Sequence, residues 1–401
     1  MILRRQPAVA SPISPMAVAH ALIASLHASA SGREQARALV ARRYDARGAV
    51  LTDSGTSALV HALRLAVPSG GIVGFPAYAC VDLAAAARYA GVRVRLYDLD
   101  PATLSPDLES VRALVQRGVS AIVVAHLFGY PADVPGVREI AAPAGAPVIE
   151  DAAQGTGGSL DGRRLGTMGD LAVLSFGRGK GLCAGGGGAL LAFDERWSGA
   201  MAALPPMPSS RGWTNLATTA VQWALGRPSV YAFPSMLPWL RLGEMVYHPA
   251  HEPRGLSAGS GALLASAFAM EAADVETRRR HARVYDEIVR ASAELAAVTP
   301  VARGVAGCLR YPVRDLGASR APDAALGIVR PYPRTLAEQD ELQPVLMSGE
   351  PSMSGATELR RTLVTLPTHR FVSDVDHHAI RRWLCPASHG ENDDAPRRRD
   401  A

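Results

Sequence analysis

A chain of 401 residues, 48% hydrophobic and 20% charged, has the usage of an ordinary folded soluble protein, which argues against a disordered, fibrous or membrane-embedded polypeptide. The formal net charge of +5 comes partly from the terminal clusters Arg4-Arg5 and Arg397-Arg398-Arg399, and no basic stripe with interleaved aromatics accompanies it, so nucleic-acid binding is not expected. Cys80, Cys183, Cys308 and Cys385 lie far apart without C-x-x-C spacing, no secretory signal opens the chain and no apolar run is long enough to span a bilayer; a cytoplasmic protein with reduced thiols and no metal centre is expected.

Taken in chain order, residues 1–30 read as a proline-interrupted arm followed by a helix from about Met16 to Ala30. Residues 31–245 read as a large domain. Within it short apolar runs alternate with helical stretches: Ile72 to Phe75, Val92 to Tyr97, Ala121 to Ala125, Val148 to Ile149, Leu171 to Phe176 and Ala189 to Phe193. That rhythm predicts an α/β fold with a mostly parallel, doubly wound sheet, whose ligands bind at the carboxyl ends of the strands. Residues 197–245 are rich in Trp, Pro, Leu and Met, which suits buried helices or a dimer surface, and alternatively an apolar face for a lipid-linked substrate or a membrane. Residues 246–385 read as a smaller C-terminal α/β domain, opened by one long or two stacked helices over Ala262 to Leu295 and holding strands at Leu309 to Val313, Gly327 to Val329 and Leu363 to Leu366. The polar stretch 386–401 reads as a disordered tail.

Chemistry-bearing residues gather at the predicted strand ends. Ser54-Gly55-Thr56-Ser57 opens a helix, and a helix start with free N–H groups and hydroxyls suits a phosphate, although simple capping explains Ser and Thr there as well. Glu150-Asp151-Ala152-Ala153-Gln154 follows a buried strand and delivers an acid to its end; Asp151 can hold a pyridine nitrogen protonated, or merely cap a helix. Leu171 to Phe176 leads through Ser175 into a glycine-dense loop carrying Lys180. Of the 42 basic side chains, 41 are Arg and Lys180 is the only Lys, so lysine survives where a guanidinium cannot substitute. Imine formation with an aldehyde is such a task, because it needs a primary amine that can lose its proton.

The ordered series S-G-T-S-A, P-A-Y, H-L-F-G, E-D-A-A-Q, G-D and S-F-x-x-x-K with a G-G-G-A turn resembles the DegT/StrS-type sugar aminotransferases, most closely over residues 50–195 and more loosely at Leu366 to His369. The resemblance implies a fold-type I enzyme dependent on pyridoxal 5'-phosphate (PLP), with Lys180 holding the cofactor, Asp151 paired with the pyridine nitrogen and Gln154 on the ring hydroxyl. It places Gly55, Thr56 and Ser175 at the cofactor phosphate, where the helix start adds the Ser57 hydroxyl as a further cofactor donor. It further implies a homodimer with both sites at the interface, and transfer of an amino group from glutamate or glutamine to a keto group of a nucleotide-linked sugar.

Two departures from that pattern stand out. Where relatives carry an aromatic residue over the cofactor ring, this chain has Cys80, with Tyr78 nearby as a partial substitute; where relatives carry N-x-R, it has Pro253-Arg254-Gly255. Tyr78, His126, Arg254 and His369 are therefore the candidate substrate contacts, His126 being equally readable as a structural histidine. A lipid-linked or other hydrophobic ketone is the alternative acceptor, and a dehydration or rearrangement the alternative reaction. Retention of Lys180 argues against the dehydratase branch, in which histidine replaces it. The complete Lys180, Asp151 and Gln154 set argues against a non-catalytic regulatory protein.

Overall fold

Apolar runs without polar interruption form strands buried on both faces, and here they build a seven-stranded sheet. The computed structural model describes residues 4–26, 30–208, 212–235 and 247–386. In the large sheet β1 (Gly48–Thr52), β9 (Gly188–Ala192), β8 (Leu171–Ser175), β5 (Val148–Asp151), β4 (Ala121–Ala125), β2 (Ile72–Pro76) and β3 (Arg93–Tyr97) lie side by side in that order. Only β9 runs against the rest, pairing antiparallel with both β1 and β8. The sheet is mostly parallel, as the alternation of apolar and helical stretches predicts. Strands β6 (Ser159–Leu160), β7 (Arg163–Arg164) and β11 (Gly304–Val305) form a small second sheet, and β10 (Leu295–Ala297), β12 (Tyr311–Asp315) and β13 (Leu363–Leu366) a third.

Twelve α-helices are described: α1 (Pro15–Leu26), α2 (Ala30–Tyr44), α3 (Gly55–Ala66), α4 (Asp82–Ala90), α5 (Leu108–Gln116), α6 (Val134–Ala141), α7 (Glu195–Ala202), α8 (Trp213–Leu225), α9 (Pro228–Ser235), α10 (Ala258–Arg290), α11 (Ser354–Thr362) and α12 (Asp374–Leu384). They cover both faces of the large sheet, and β8 records this in its alternation. Its Leu171 and Val173 join the core under α3 to α6, whereas Ala172 and Leu174 join the opposite core with Val18, Val40 and Leu264. Side chains of a strand alternate in direction, so one strand serves two cores. The first half of α10 packs in that second core, and its last turns close a third one over β12 and β13 through Tyr285, Ile288 and Val289.

Several elements depart from expectation for identifiable reasons. Beyond α1 lies a second helix, α2, whose buried Ala36, Val40 and Tyr44 recur every fourth residue among charged neighbours too dense to leave an obvious apolar pattern. Strand β1 was hidden by its small residues Gly48 and Ala49. Gly327 to Val329 forms no strand and meets the third sheet at one bridge, Val329 with Thr365. β12 starts at Tyr311 rather than Leu309, after Cys308 adopts a left-handed φ of 50°. Within 197–245, Trp197, Met201 and Leu216 are buried while Trp213, Val221, Leu225 and Phe233 are exposed. The tail from residue 387 onward lies outside the described residues, and no helix among those described is long and apolar enough to cross a membrane.

Candidate active site

The parallel register sets the site. Ala125 of β4 pairs with Asp151 of β5, and Asp151 with Val173 of β8, so three carboxyl ends finish side by side. Beyond them opens a cleft of about 280 Å³ lined by Gly55, Thr56, Cys80, His126, Asp151, Gln154, Ser175 and Lys180. Eight residues that sequence reasoning singled out, from positions 55 to 180, thus meet in one cavity.

Lys180 follows β8 on a loop fastened to the N-terminal arm. Ser11 Oγ accepts a hydrogen bond from Gly179 N at 3.1 Å and donates to Lys180 O at 3.3 Å. Gly179 has a φ of 74°, a left-handed conformation that a Cβ would strain, and it turns the chain just before the lysine. The Lys180 amine makes no hydrogen bond or ion pair with the described residues. It is a primary amine held in a cleft without a structural task.

Asp151 ends β5 with one carboxylate oxygen accepting from Ala153 N at 3.0 Å. Burial pushes its pKa up, against the opposing pull of that hydrogen bond and of the Lys180 charge. Glu150, the preceding residue, points to the other side of the strand and is fully buried. Its oxygens accept from Gly166 N, Met168 N and Gly169 N at 2.6 to 2.8 Å and from His126 Nε2 at 2.7 Å. Burial alone would raise its pKa, but the His126 contact and these amides hold it below the usual carboxylate range. The two adjacent acids are thus set apart by their partners: one is neutralised by the fold and the other faces the cleft.

At the opposite wall α3 begins. Ser54 caps it, accepting from Ser57 N at 3.0 Å, a contact worth about 1 kcal/mol by comparison with Ala caps. Gly55 and Thr56 face the cleft beside Ser175, and a Cβ built on Gly55 would come within 2.8 Å of Ser175 Cβ. The turn, the helix start and the strand-end hydroxyl therefore close on one another only because residue 55 has no side chain.

Six expected contacts sit elsewhere or are otherwise engaged. Ser57 is buried behind the helix start, with its Oγ accepting from Ser54 Oγ at 3.0 Å, so it acts within the cap. Tyr78 is fully buried, edge-on to Tyr332 at 5.1 Å, and does not line the cleft; Cys80 does. His126 reaches the cleft wall, but both ring nitrogens are used, Nδ1 accepting from Ala132 N at 3.0 Å and Nε2 facing Glu150. Arg254 is exposed and touches the cleft only through the backbone, Asp53 N donating to Arg254 O at 2.8 Å. His369 is buried away from the cleft, its Nε2 donating to Pro7 O at 2.8 Å. Gln154 lines the cleft, yet its Oε1 accepts from Phe128 N at 3.0 Å and its Nε2 donates to Tyr332 Oη at 3.0 Å.

Sequence reasoning missed Asp53 and Asp82, which also line the cleft, and Tyr332, Arg178 and Arg310 in the adjoining cavity. Asp53 was legible as the neighbour of the phosphate turn, and Tyr332 as the aromatic of a Pro-Tyr-Pro stretch. Arg310 had no local signal among 41 arginines.

Residues 33–221 match the DegT/DnrJ/EryC1/StrS aminotransferase family. That segment is just under half of the chain, and over it the chain is similar to the family. It is 35% identical over 139 residues to a UDP-N-acetyl-3-dehydro-alpha-D-glucosamine 3-aminotransferase of Acidithiobacillus ferrooxidans, covering 34% of this chain and 38% of that one. It is 31% identical over 187 residues to the GDP-perosamine synthase of Caulobacter vibrioides, covering 44% of this chain and 50% of the relative. The chain thus matches half or less of the length of these relatives. The whole fold resembles that of E. coli GDP-4-keto-6-deoxy-D-mannose-3-dehydratase with bound hydrated PLP, with a TM-score of 0.75 at 16% identity, covering 95% of this chain and 100% of that one. Within the family segment lie all the cleft residues named above, from Asp53 to Lys180.

Proposed function

We propose that this protein is a PLP-dependent aminotransferase that moves an amino group from glutamate or glutamine to a keto group of a nucleotide-linked sugar. The observation that carries the reading is the unpartnered amine of Lys180, the chain's only lysine, in one cleft with Asp151. The relatives named above act on nucleotide sugars, which supports that acceptor class.

The residues present fit the cofactor. The start of α3 with Thr56 and Ser175 offers N–H and hydroxyl donors for a phosphate, within a turn that a Cβ at Gly55 would fill. Asp151 is a carboxylate raised by burial that gains from a cationic ring nitrogen. When bound, PLP supplies an aldehyde for condensation with amines and a protonated ring that withdraws electrons from the adjoining carbon. Lys180 would hold it through Nζ, and once released that amine would be placed to carry the proton between the substrate carbon and the cofactor. Asp151 would pair with the ring nitrogen, and Gln154, fixed by Phe128 and Tyr332, would face the ring hydroxyl.

An apolar groove favours a second acceptor class, a hydrophobic ketone. Val9, Ile13, Val221, Trp223 and Leu225 line a cavity of about 260 Å³ that shares Arg178 and Gly179 with the Lys180 loop. In either case the protein works as a cytoplasmic homodimer with the cleft at the interface.

Borohydride reduction of the PLP-treated chain, followed by peptide mass mapping, tests the assignment. The cofactor mass is expected on Lys180 alone, and glutamate is expected to release one 2-oxoglutarate per chain before an acceptor is added. A Lys180→Ala variant that releases 2-oxoglutarate at the wild-type rate defeats the proposal.

A further inference from the structure

Exposed apolar side chains are common on folded proteins one at a time, but here they are concentrated. Of the ten large apolar residues exposed among those described, seven lie on α1, α8 and α9, and the other three, Val305, Leu316 and Val375, lie elsewhere. On α8, Trp213, Ala217, Val221 and Leu225 recur every fourth residue and all are exposed, so they form one stripe along the helix. On α1, Met16, Leu22 and Ile23 are exposed, Met16 at 68%, and on α9 Phe233 is exposed at 75%. The three helices are neighbours. A Cβ built on Gly259 of α10 would meet Leu216 of α8 at 2.8 Å and Ser25 of α1 at 2.9 Å, so α1 and α8 lie side by side on α10. α9 follows α8 and packs against it, and Arg5 N of the arm donates to Pro228 O at its start, at 3.1 Å.

Charge is missing from the same face. None of the three helices contains Asp, Glu, Lys or Arg: they read PMAVAHALIASL, WTNLATTAVQWAL and PSVYAFPS. A solvated helix face ordinarily carries charge, as α2 does with Glu34, Arg42 and Arg43 exposed. At 12, 13 and 8 residues the helices are too short to cross a bilayer, which takes about 20, and their exposed sides keep them out of the core. The groove between the arm and α8 opens on this surface through Val221 and Leu225. The charged residues that line it are Arg178 and Arg370, with no acid among them. Arg227, exposed between α8 and α9, lies over the Trp223 ring at 4.7 Å. The face is therefore apolar at its centre and basic at its rim.

We propose that the α1–α8–α9 face docks this protein on an anionic lipid bilayer, with the helices lying in the headgroup layer and Arg227 and Arg370 meeting lipid phosphates. The proposal does not rest on the aminotransferase reading. An apolar stripe without charge suits the boundary between headgroups and acyl chains, and an arginine rim without acids matches anionic headgroups. Charge also argues against a second copy of the chain on this face. A twofold contact sets one patch against itself, so the rim arginines would meet their own copies, with no acid on the three helices or in the groove to offset them. The groove also reaches Gly179, the neighbour of Lys180, so a bilayer on this face lies beside the reactive loop.

Flotation of the full chain with phosphatidylcholine vesicles, with and without phosphatidylglycerol, tests this. The chain is expected to float with the anionic vesicles, to bind phosphatidylcholine alone several-fold more weakly, and to lose affinity in about 1 M salt, where screening sets in beyond about 3 Å. Phe233→Ser is expected to weaken binding roughly 10-fold, because a phenyl side chain no longer leaves water. Arg227→Gln and Arg370→Gln are each expected to weaken it roughly 5-fold, which corresponds to about 1 kcal/mol per cation at an anionic surface. All three positions are exposed, so the melting temperatures are expected to match the wild type. Brominated phosphatidylglycerol is expected to quench tryptophan fluorescence, and Trp213→Phe to lessen the quenching while the chain still floats. Equal binding to both kinds of vesicle, or none to either, overturns the proposal. So does flotation of Phe233→Ser and Arg370→Gln at wild-type strength. Should Phe233→Ser instead turn a dimer into monomers in sedimentation velocity, the face is a subunit interface and the proposal falls.

Discussion

His126 Nε2 lies 2.7 Å from Glu150 Oε1, and both side chains are wholly buried. Because His126 Nδ1 accepts from Ala132 N, the ring proton sits on Nε2 and points at the carboxylate. Glu150 thereby fixes the loop after β4 to the 166–169 turn, and β5 carries Asp151 as the next residue. Glu150→Gln replaces an oxygen that accepts backbone N–H groups with an amide donor. The expected loss is about 3 kcal/mol of unfolding free energy, as for a broken buried charged contact. Chemical denaturation measures it, and a loss under 1 kcal/mol contradicts the account. Glu150 has a lowered folded pKa, so its stabilisation is complete above the unfolded value near 4.5 and fades as pH falls below it. The variant is expected to lose that part of the acid sensitivity.

Gly55 and Ser175 make a second test. A Cβ on residue 55 meets Ser175 Cβ at 2.8 Å, and backbone crowds the same spot, so Gly55→Ala is expected to cost about 1–3 kcal/mol as overpacking does. Ser175→Ala in the same chain keeps the offending Cβ and brings no relief. Ser175→Gly removes it and is expected to restore most of the melting temperature while leaving PLP affinity low, because the hydroxyl is gone.

What the sequence makes legible here is local. Strand-end residues such as Asp151, Ser175 and Lys180 sit in runs whose apolar lead-in announces a strand and whose next residue must then lie at its carboxyl end. Long-range contacts leave no such trace: Arg310 reaches Ala8 across 302 residues, and His369 reaches Pro7 across 362. Direction within a turn is similarly hidden. Tyr78 and Cys80 are both two-residue steps along one loop, yet a fully buried Tyr78 packs on Tyr332 while Cys80 faces the cleft. The arm, expected to stand outside the core, instead runs along the reactive loop, because Ser11 satisfies the N–H of Gly179.

Asp151 is expected to help binding at the expense of folding. Burial raises its pKa, so ionisation costs the folded state more than the unfolded one; the penalty is absent at acid pH and grows as pH rises past the unfolded value of 3.8. Asp151→Asn removes the charge with little change in volume. The cofactor-free variant is expected to melt above the wild type at pH 7 and level with it near pH 3. Its PLP affinity is expected to fall roughly 10- to 100-fold, the loss of one charged hydrogen bond. A cofactor-free variant less stable than the wild type at pH 7 is inconsistent with this balance.

His369 ties the arm to the core, and its titration supplies the remaining prediction. Its Nε2 donates to Pro7 O and its Nδ1 accepts from Phe371 N at 3.3 Å, so the ring is neutral when both bonds exist. Burial lowers its pKa to about 4 from 6.5, with the Arg310 and His281 charges acting in the same direction and Asp376 and the Pro7 carbonyl opposing them. For a base depressed in the folded state, the unfolded chain binds the proton first. Stability is therefore full above pH 6.5 and falls between 6.5 and about 4, by up to about 3 kcal/mol for this one group. His281 is lowered to about 4 as well, and burial also depresses His377 beside it and His61 of α3, so the wild-type curve sums four histidines. The difference between the wild type and His369→Gln isolates one of them. That variant is expected to show a shallower loss of stability below pH 6.5, and the wild-type arm, cut at Arg4 or Arg5 by a protease, is expected to become sensitive as pH falls from 6.5 to 5. Parallel pH curves for the two proteins place the acid-labile contact elsewhere, at the His281–His377 pair, where the rings meet at 2.9 Å.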